Sequence, residues 1–152
     1  MGMLQYANLS SPIEKDIDGI ISGTLTAGSQ VYVNFSNNPE LPDTLETYYL
    51  APSTETDVLF GIYIDSSLTV DGWLKFKVND IDTNIVFGKL YPTLLTLTNP
   101  VNFNHEIVIP PNAKLEVLFV PFSSGTLSSD EYVHLRLMRV PLGYKGTVKL
   151  PR

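Results

Sequence analysis

Asp80, Asp82 and Asn84 stand at positions i, i+2 and i+4, a spacing that lets side-chain oxygens converge on a calcium ion. The pattern then breaks, because the sixth position, where a sharp turn needs glycine, is Ile85, and the twelfth, where a bidentate glutamate belongs, is Tyr91. The same residues suit a polar hairpin turn whose Asx side chains bond their own backbone. Asp16-Ile17-Asp18-Gly19 is a weaker version of the same motif. Two histidines, His105 and His134, fall beside predicted strands, and no G-x-S-x-G elbow accompanies them, so they read as polar positions on a sheet rather than as a triad. Phosphate loops of the G-x-x-x-x-G-K-[ST] and G-x-G-x-x-G types are missing from the sequence. Cysteine is also missing, which excludes disulfides, thiolate chemistry, cysteine-held zinc and iron–sulfur clusters. Carboxylates occur throughout, and their spacing singles out no pair for glycoside hydrolysis. The expectation is a non-enzymatic protein with no catalytic residue, cofactor or metal.

The aromatic residues point to surfaces instead of chemistry. Trp73, Lys75 and Lys77 alternate along WLKFKV opposite Leu74, Phe76 and Val78, so they could form a platform on which a sugar ring stacks. In EYVHLRLMRV the apolar face is Val133, Leu135 and Leu137, which leaves Tyr132, His134, Arg136 and Met138 on the other. Tyr, Arg and Met are enriched at protein interfaces, so this face is a candidate contact surface.

These residues have to be held by strands. Val, Ile and Thr number 13, 10 and 13 among 152 residues, whereas Ala occurs 4 times, and 11 Pro and 10 Gly interrupt every long run. Period-two alternation predicts strands at Ile20 to Leu25, Val31 to Phe35, Leu45 to Leu50, Val58 to Ile64, Trp73 to Val78 and Asn84 to Leu90. It predicts others at Leu94 to Thr98, Glu106 to Ile109, Lys114 to Val120, Tyr132 to Val140 and Tyr144 to Leu150. In VLFGIYI it groups Val58, Phe60, Ile62 and Ile64. Asp71-Gly72 marks a tight hairpin, NDIDTN joins two strands, and Pro110 to Ala113 turns the chain between two more. Antiparallel strands with no helical crossovers predict an all-β, two-sheet β-sandwich, most simply a jelly roll. The domain spans residues 20–152, with residues 1–19 as an N-terminal arm that drapes over its own domain or a neighbour, and with a short basic C-terminal tail.

Charge is segregated along the chain. Up to Leu74 there is one base against ten acids, and from Lys75 onward nine bases against six acids. Folding can bring the two halves together so that the charges offset locally, or copies can meet head to tail, acidic surface on basic surface. The basic patch is too sparse for nucleic acid. Neither a signal peptide nor an apolar run of membrane-spanning length is present in the sequence, so no membrane association is expected.

Across most of its length the chain resembles small jelly-roll virion proteins, which decorate or complete phage and virus capsids. The resemblance is carried by the cysteine-free β run, by HEIVIPPNAKLEVLFVPF with its strand, Pro-Pro turn and strand, and by the terminal arms. It implies a structural role in the virion after synthesis in the host cytoplasm, homo-oligomerisation, possibly as a trimer, and contact with a major capsid protein. The arm, the tail and the outer face of EYVHLRLMRV then supply the expected interface: Tyr6, Tyr132, His134, Arg136, Met138, Tyr144, Lys149 and Arg152. The alternative is a carbohydrate-binding or receptor-binding sandwich built around Trp73, Lys75 and Lys77.

Overall fold

The structure, a computed structural model, describes residues 11–64, 71–87 and 101–150. Within them the chain forms eleven strands: β1 (Ile13–Ile21), β2 (Thr24–Leu25), β3 (Val31–Tyr32), β4 (Tyr49–Leu50), β5 (Glu55–Ile64), β6 (Gly72–Val78), β7 (Ile81–Phe87), β8 (Val101–Ile109), β9 (Lys114–Pro121), β10 (Gly125–Thr126) and β11 (Glu131–Pro141). None of the described residues is helical, as the β-branched composition and the frequent Pro and Gly require.

The pairings are all antiparallel and nested. β1 lies on β11, β3 and β4 lie end to end on β9, β5 lies on β8, and β6 lies on β7. Early strands thus pair with late ones, closing inward to the β6–β7 hairpin. Two further ladders, β11 on β5 and β9 on β6, join the nested pairs into two sheets. Their orders are β1-β11-β5-β8 and β3-β9-β6-β7, and β2 with β10 makes a separate small ribbon. The sheets close over one core, in which Ile21, Leu59, Ile62, Ile64, Val133, Leu135 and Leu137 of the first sheet meet Leu74, Phe76, Leu115, Val117 and Phe119 of the second. Gly19 lets the β1 edge approach the second layer, because a Cβ there would overlap the Val33 side chain and sit 2.9 Å from the Phe35 ring. Just beyond it, Ile20 and Asn34 exchange both backbone hydrogen bonds, at 2.8 and 2.9 Å.

Several boundaries differ from the sequence reading. Residues 13–19 are not an arm outside the sandwich; they belong to β1, which pairs with β11 along its whole length. Glu14, Lys15 and Asp16 are exposed, as an edge strand allows, so no alternation announces them. Tyr144 to Leu150 alternates correctly but forms no strand. Against β11 the register of β5 shifts where Arg136 and Leu137 oppose Gly61 and Leu59, and the extra residue, Phe60, reverses the phase. Leu59, Ile62 and Ile64 therefore share the core face, in place of the grouping with Val58 and Phe60. NDIDTN shortens to a two-residue turn, Asn79-Asp80, with φ of 49° and 67°, after which Ile81 already starts β7. Pro110 to Ala113 does turn the chain, closed by the Ala113 amide on the Pro110 carbonyl at 3.1 Å. The expected strand at Leu94 to Thr98, residues 88–90, the first strand of the Asp71-Gly72 hairpin, and residues 1–10 lie outside the described residues.

Candidate functional site

The outer face of the first sheet carries a connected polar and aromatic array. Alternation along β11 turns Val133, Leu135 and Leu137 inward, fully buried, and Tyr132, His134 and Arg136 outward. Register places Asp18 of β1 and Tyr63 of β5 on either side of His134. The His134 Nδ1 and the Asp18 carboxylate are 2.5 Å apart, and the Tyr63 ring stacks on the imidazole at 4.4 Å between centroids. Tyr132 continues the stack at 6.2 Å. The Tyr63 hydroxyl donates to Asp16 at 3.1 Å. Partial burial, with Asp16 and Asp18 nearby, pushes its pKa up to about 12. Arg136 donates to Glu14 at 2.7 Å, and its guanidinium lies 5.0 Å from the centre of the Phe60 ring, which the bulge brings beneath it.

A second cluster joins the two sheets. Arg139 follows Leu137 on the inward face of β11, opposite Asp57, which is fully buried. The guanidinium donates to Asp57 at 3.0 and 3.3 Å and to the Tyr49 hydroxyl at 2.8 Å, and that hydroxyl donates to Asp57 at 2.6 Å. Glu55 stands 3.6 Å from the Arg139 Nε. Burial, then Asp57, drive the Tyr49 pKa far above its ordinary value, so the phenol keeps its proton. Burial also opposes the Arg139 charge, but Asp57, Tyr49 and Glu55 outweigh it and raise the pKa. Tyr49 comes from β4 of the second sheet, so this network ties the layers together. Beside it an open groove of about 680 Å³ runs between the β1 edge and the chain around 35–53, lined in part by Lys15, Ile17, Phe35, Asn37, Leu50 and Arg139.

The outer face of the second sheet holds Trp73, Lys75 and Lys77 in a row along β6, with Trp73 46% exposed. The exposed Phe122 meets the indole edge to face, 5.6 Å between centroids. Lys77 pairs in register with Glu116 and Asp82. Glu116 shares a hydrogen bond with Asp80, and partial burial together with that neighbour raises its pKa. Asp80, at positive φ, closes the hairpin turn, while Asp82 and Asn84 lie in β7, where the register against β6 shifts; Asn84 also has positive φ, and its amide donates to the Asp82 carboxylate at 2.7 Å. Among the described residues no three His, Asp or Glu converge as a metal site.

The structure thus gathers Tyr132, His134 and Arg136 on one face, with Met138 nearly buried beside them. Trp73, Lys75 and Lys77 lie on the other sheet. Tyr144 and Lys149 belong to the tail after β11, half-buried and exposed respectively, while Tyr6 and Arg152 fall outside the described residues. Sequence reading missed the Arg139–Asp57–Tyr49 network, although a signal was there: Arg139 continues the inward series 133, 135, 137, and a cation at an inward position requires a buried acid. Among the described residues no helix is long and apolar enough to cross a membrane. Compared with known families and with curated proteins, the chain matches no family model and no curated sequence.

Proposed function

We propose that this chain is a jelly-roll structural protein of a virion, which docks as a homo-oligomer on a capsid shell and performs no catalysis. The observation that carries the reading is the nested pairing. Rolling up one long antiparallel ribbon, in which early strands pair with late ones, gives the jelly roll's two Greek keys, and the orders β1-β11-β5-β8 and β3-β9-β6-β7 follow from such a roll. Exposed Trp73, Phe122, Tyr32 and Tyr132 support a role exercised through surfaces. The test is sedimentation velocity of the full chain at rising concentration, followed by pelleting with capsid shells assembled from any major capsid protein that the same genome encodes. Oligomers that pellet with the shells are expected. A chain that stays monomeric and remains in the supernatant refutes the proposal.

A second reading rests on one arrangement, the exposed Trp73 ring braced by Phe122 above Lys75 and Lys77 on the same strand face. It is a platform for stacking a sugar. If it is used, Trp73→Ala abolishes binding on a glycan array while leaving the far-ultraviolet circular dichroism unchanged; equal binding by the variant removes the platform.

A further inference from the structure

Before Ile20, the outward edge of β1 pairs with no strand among the described residues. Because Ile20 exchanges both backbone bonds with Asn34, across the edge away from β11, the even-numbered residues of β1 point their N–H and C=O groups away from the sheet. Glu14, Asp16 and Asp18 follow the same parity, and among the described residues their outward backbone groups have no backbone partner. Their side chains lie on the outer face with Arg136, Tyr63 and His134. Between them Ile17 packs against the core, and the 680 Å³ groove runs alongside. An exposed edge of this kind is a template for strand addition.

The chain also holds a strand sequence without a partner. Residues 144–150, YKGTVKL, alternate as a strand does, yet residues 145–150 make no backbone–backbone hydrogen bond among the described residues. The Tyr144 hydroxyl reaches the Thr147 carbonyl at a long 3.4 Å. Lys145, Thr147 and Lys149 share one face of this segment, and Gly146, Val148 and Leu150 share the other.

We infer that residues 144–150 of one copy add as an antiparallel strand to the β1 edge of a second copy. Lys145 pairs with Asp18, Thr147 with Asp16 and Lys149 with Glu14, so the lysines meet carboxylates on the outer face. The same register turns Val148 and Leu150 to the inward side, over the groove and the exposed Ile13. A single-residue slip would reverse both faces. The donor is another copy because of where the tail leaves: the Leu142 amide bonds the Thr54 carbonyl, on the β5 side of β11, whereas the edge lies beyond β1 on the opposite side. This inference rests on the self-association proposed above and specifies its contact.

The test combines sedimentation velocity with hydrogen–deuterium exchange on the full chain at rising concentration. Assembly is expected to slow exchange at Glu14, Asp16 and Asp18 at least tenfold. Thr147→Pro, in the exposed tail, removes a donor aimed at the edge and should raise the concentration needed for assembly tenfold or more. Asp16→Pro should do the same from the other side, since its lost N–H points away from the sheet and proline is tolerated there. If Asp16→Pro misfolds, Thr147→Pro decides alone, because it alters nothing in the core. Assembly with unchanged exchange at these three amides, or with Thr147→Pro assembling like the parent, overturns the inference and leaves self-association standing. A parent chain that remains monomeric throughout overturns both.

Discussion

Replacing Arg139 with methionine removes the guanidinium that bonds Asp57 while keeping an unbranched apolar stem. Asp57 is fully buried, and three of the four hydrogen bonds joining Tyr49, Asp57 and Arg139 end on the guanidinium. Breaking a buried ion pair from one side costs about 3–5 kcal/mol, because the remaining charge stays in a poorly solvated site. For a domain of this size each kcal/mol lowers the Tm by about 2–4 °C, so Arg139→Met should melt about 6–20 °C below the parent at pH 7. Asp57→Asn added to Arg139→Met removes the stranded charge and should restore at least half of the loss. Urea unfolding, followed by circular dichroism and by Trp73 fluorescence, measures all three proteins. An Arg139→Met variant within about 1 kcal/mol of the parent at pH 7, against the cost expected for a buried pair, would refute this account, as would a double variant no more stable than Arg139→Met alone.

Gly19→Ala should cost about 1–3 kcal/mol in urea unfolding, because its methyl overlaps Val33 and crowds Phe35 where the two layers meet; neutrality would mean that this edge of the sandwich yields freely. Tyr63→Phe keeps the stack on His134 and loses one exposed hydrogen bond, so the cost at neutral pH should be about 0.5–1 kcal/mol. Because the folded phenol titrates near 12, above its ordinary value of 10, it supports the fold below pH 10 and loses that support between pH 10 and 12. The variant should accordingly show a shallower alkaline loss of stability, and an identical slope would contradict the assignment.

The inward faces were legible because a side-chain period of two survives wherever one face of a strand is covered. Val33 and Phe35, Leu74 and Phe76, and Val133, Leu135 and Leu137 are all buried as alternation requires. What escaped has physical reasons. Residues 13–16 are exposed, so the hydrophobic signal that marks a half-buried strand was not present in that stretch. The bulge at Phe60 has no local signature, since an unpaired residue is created by the register against the partner strand β11 and not by its own type. Tyr144 to Leu150 shows the converse: alternation describes what a strand could do, whereas a strand also needs an edge to join. For the candidate site, the outward grouping of Tyr132, His134 and Arg136 could be read from one strand, but their neighbours could not. Asp18, Asp16 and Tyr63 come from strands more than 60 residues away in sequence, and only the nested pairing puts them in contact.

That nesting also explains the segregation of charge. When an early strand pairs with the last, an excess of acid at the start and of base at the end becomes a ladder of opposite charges, and the same charges shuffled would place like against like. The ladders deliver this in two places: Glu14 beside Arg136, and Glu55 with Asp57 around Arg139. Part of the asymmetry is therefore offset within one chain, where β11 meets β1 and β5. Lys145 and Lys149 stand outside these ladders. They follow the last ladder and make no ion pair among the described residues. A base placed after the final paired strand gains nothing from the ladder, and no described residue of its own fold offers it a carboxylate, which is why the edge of a second copy is the surface that would use it.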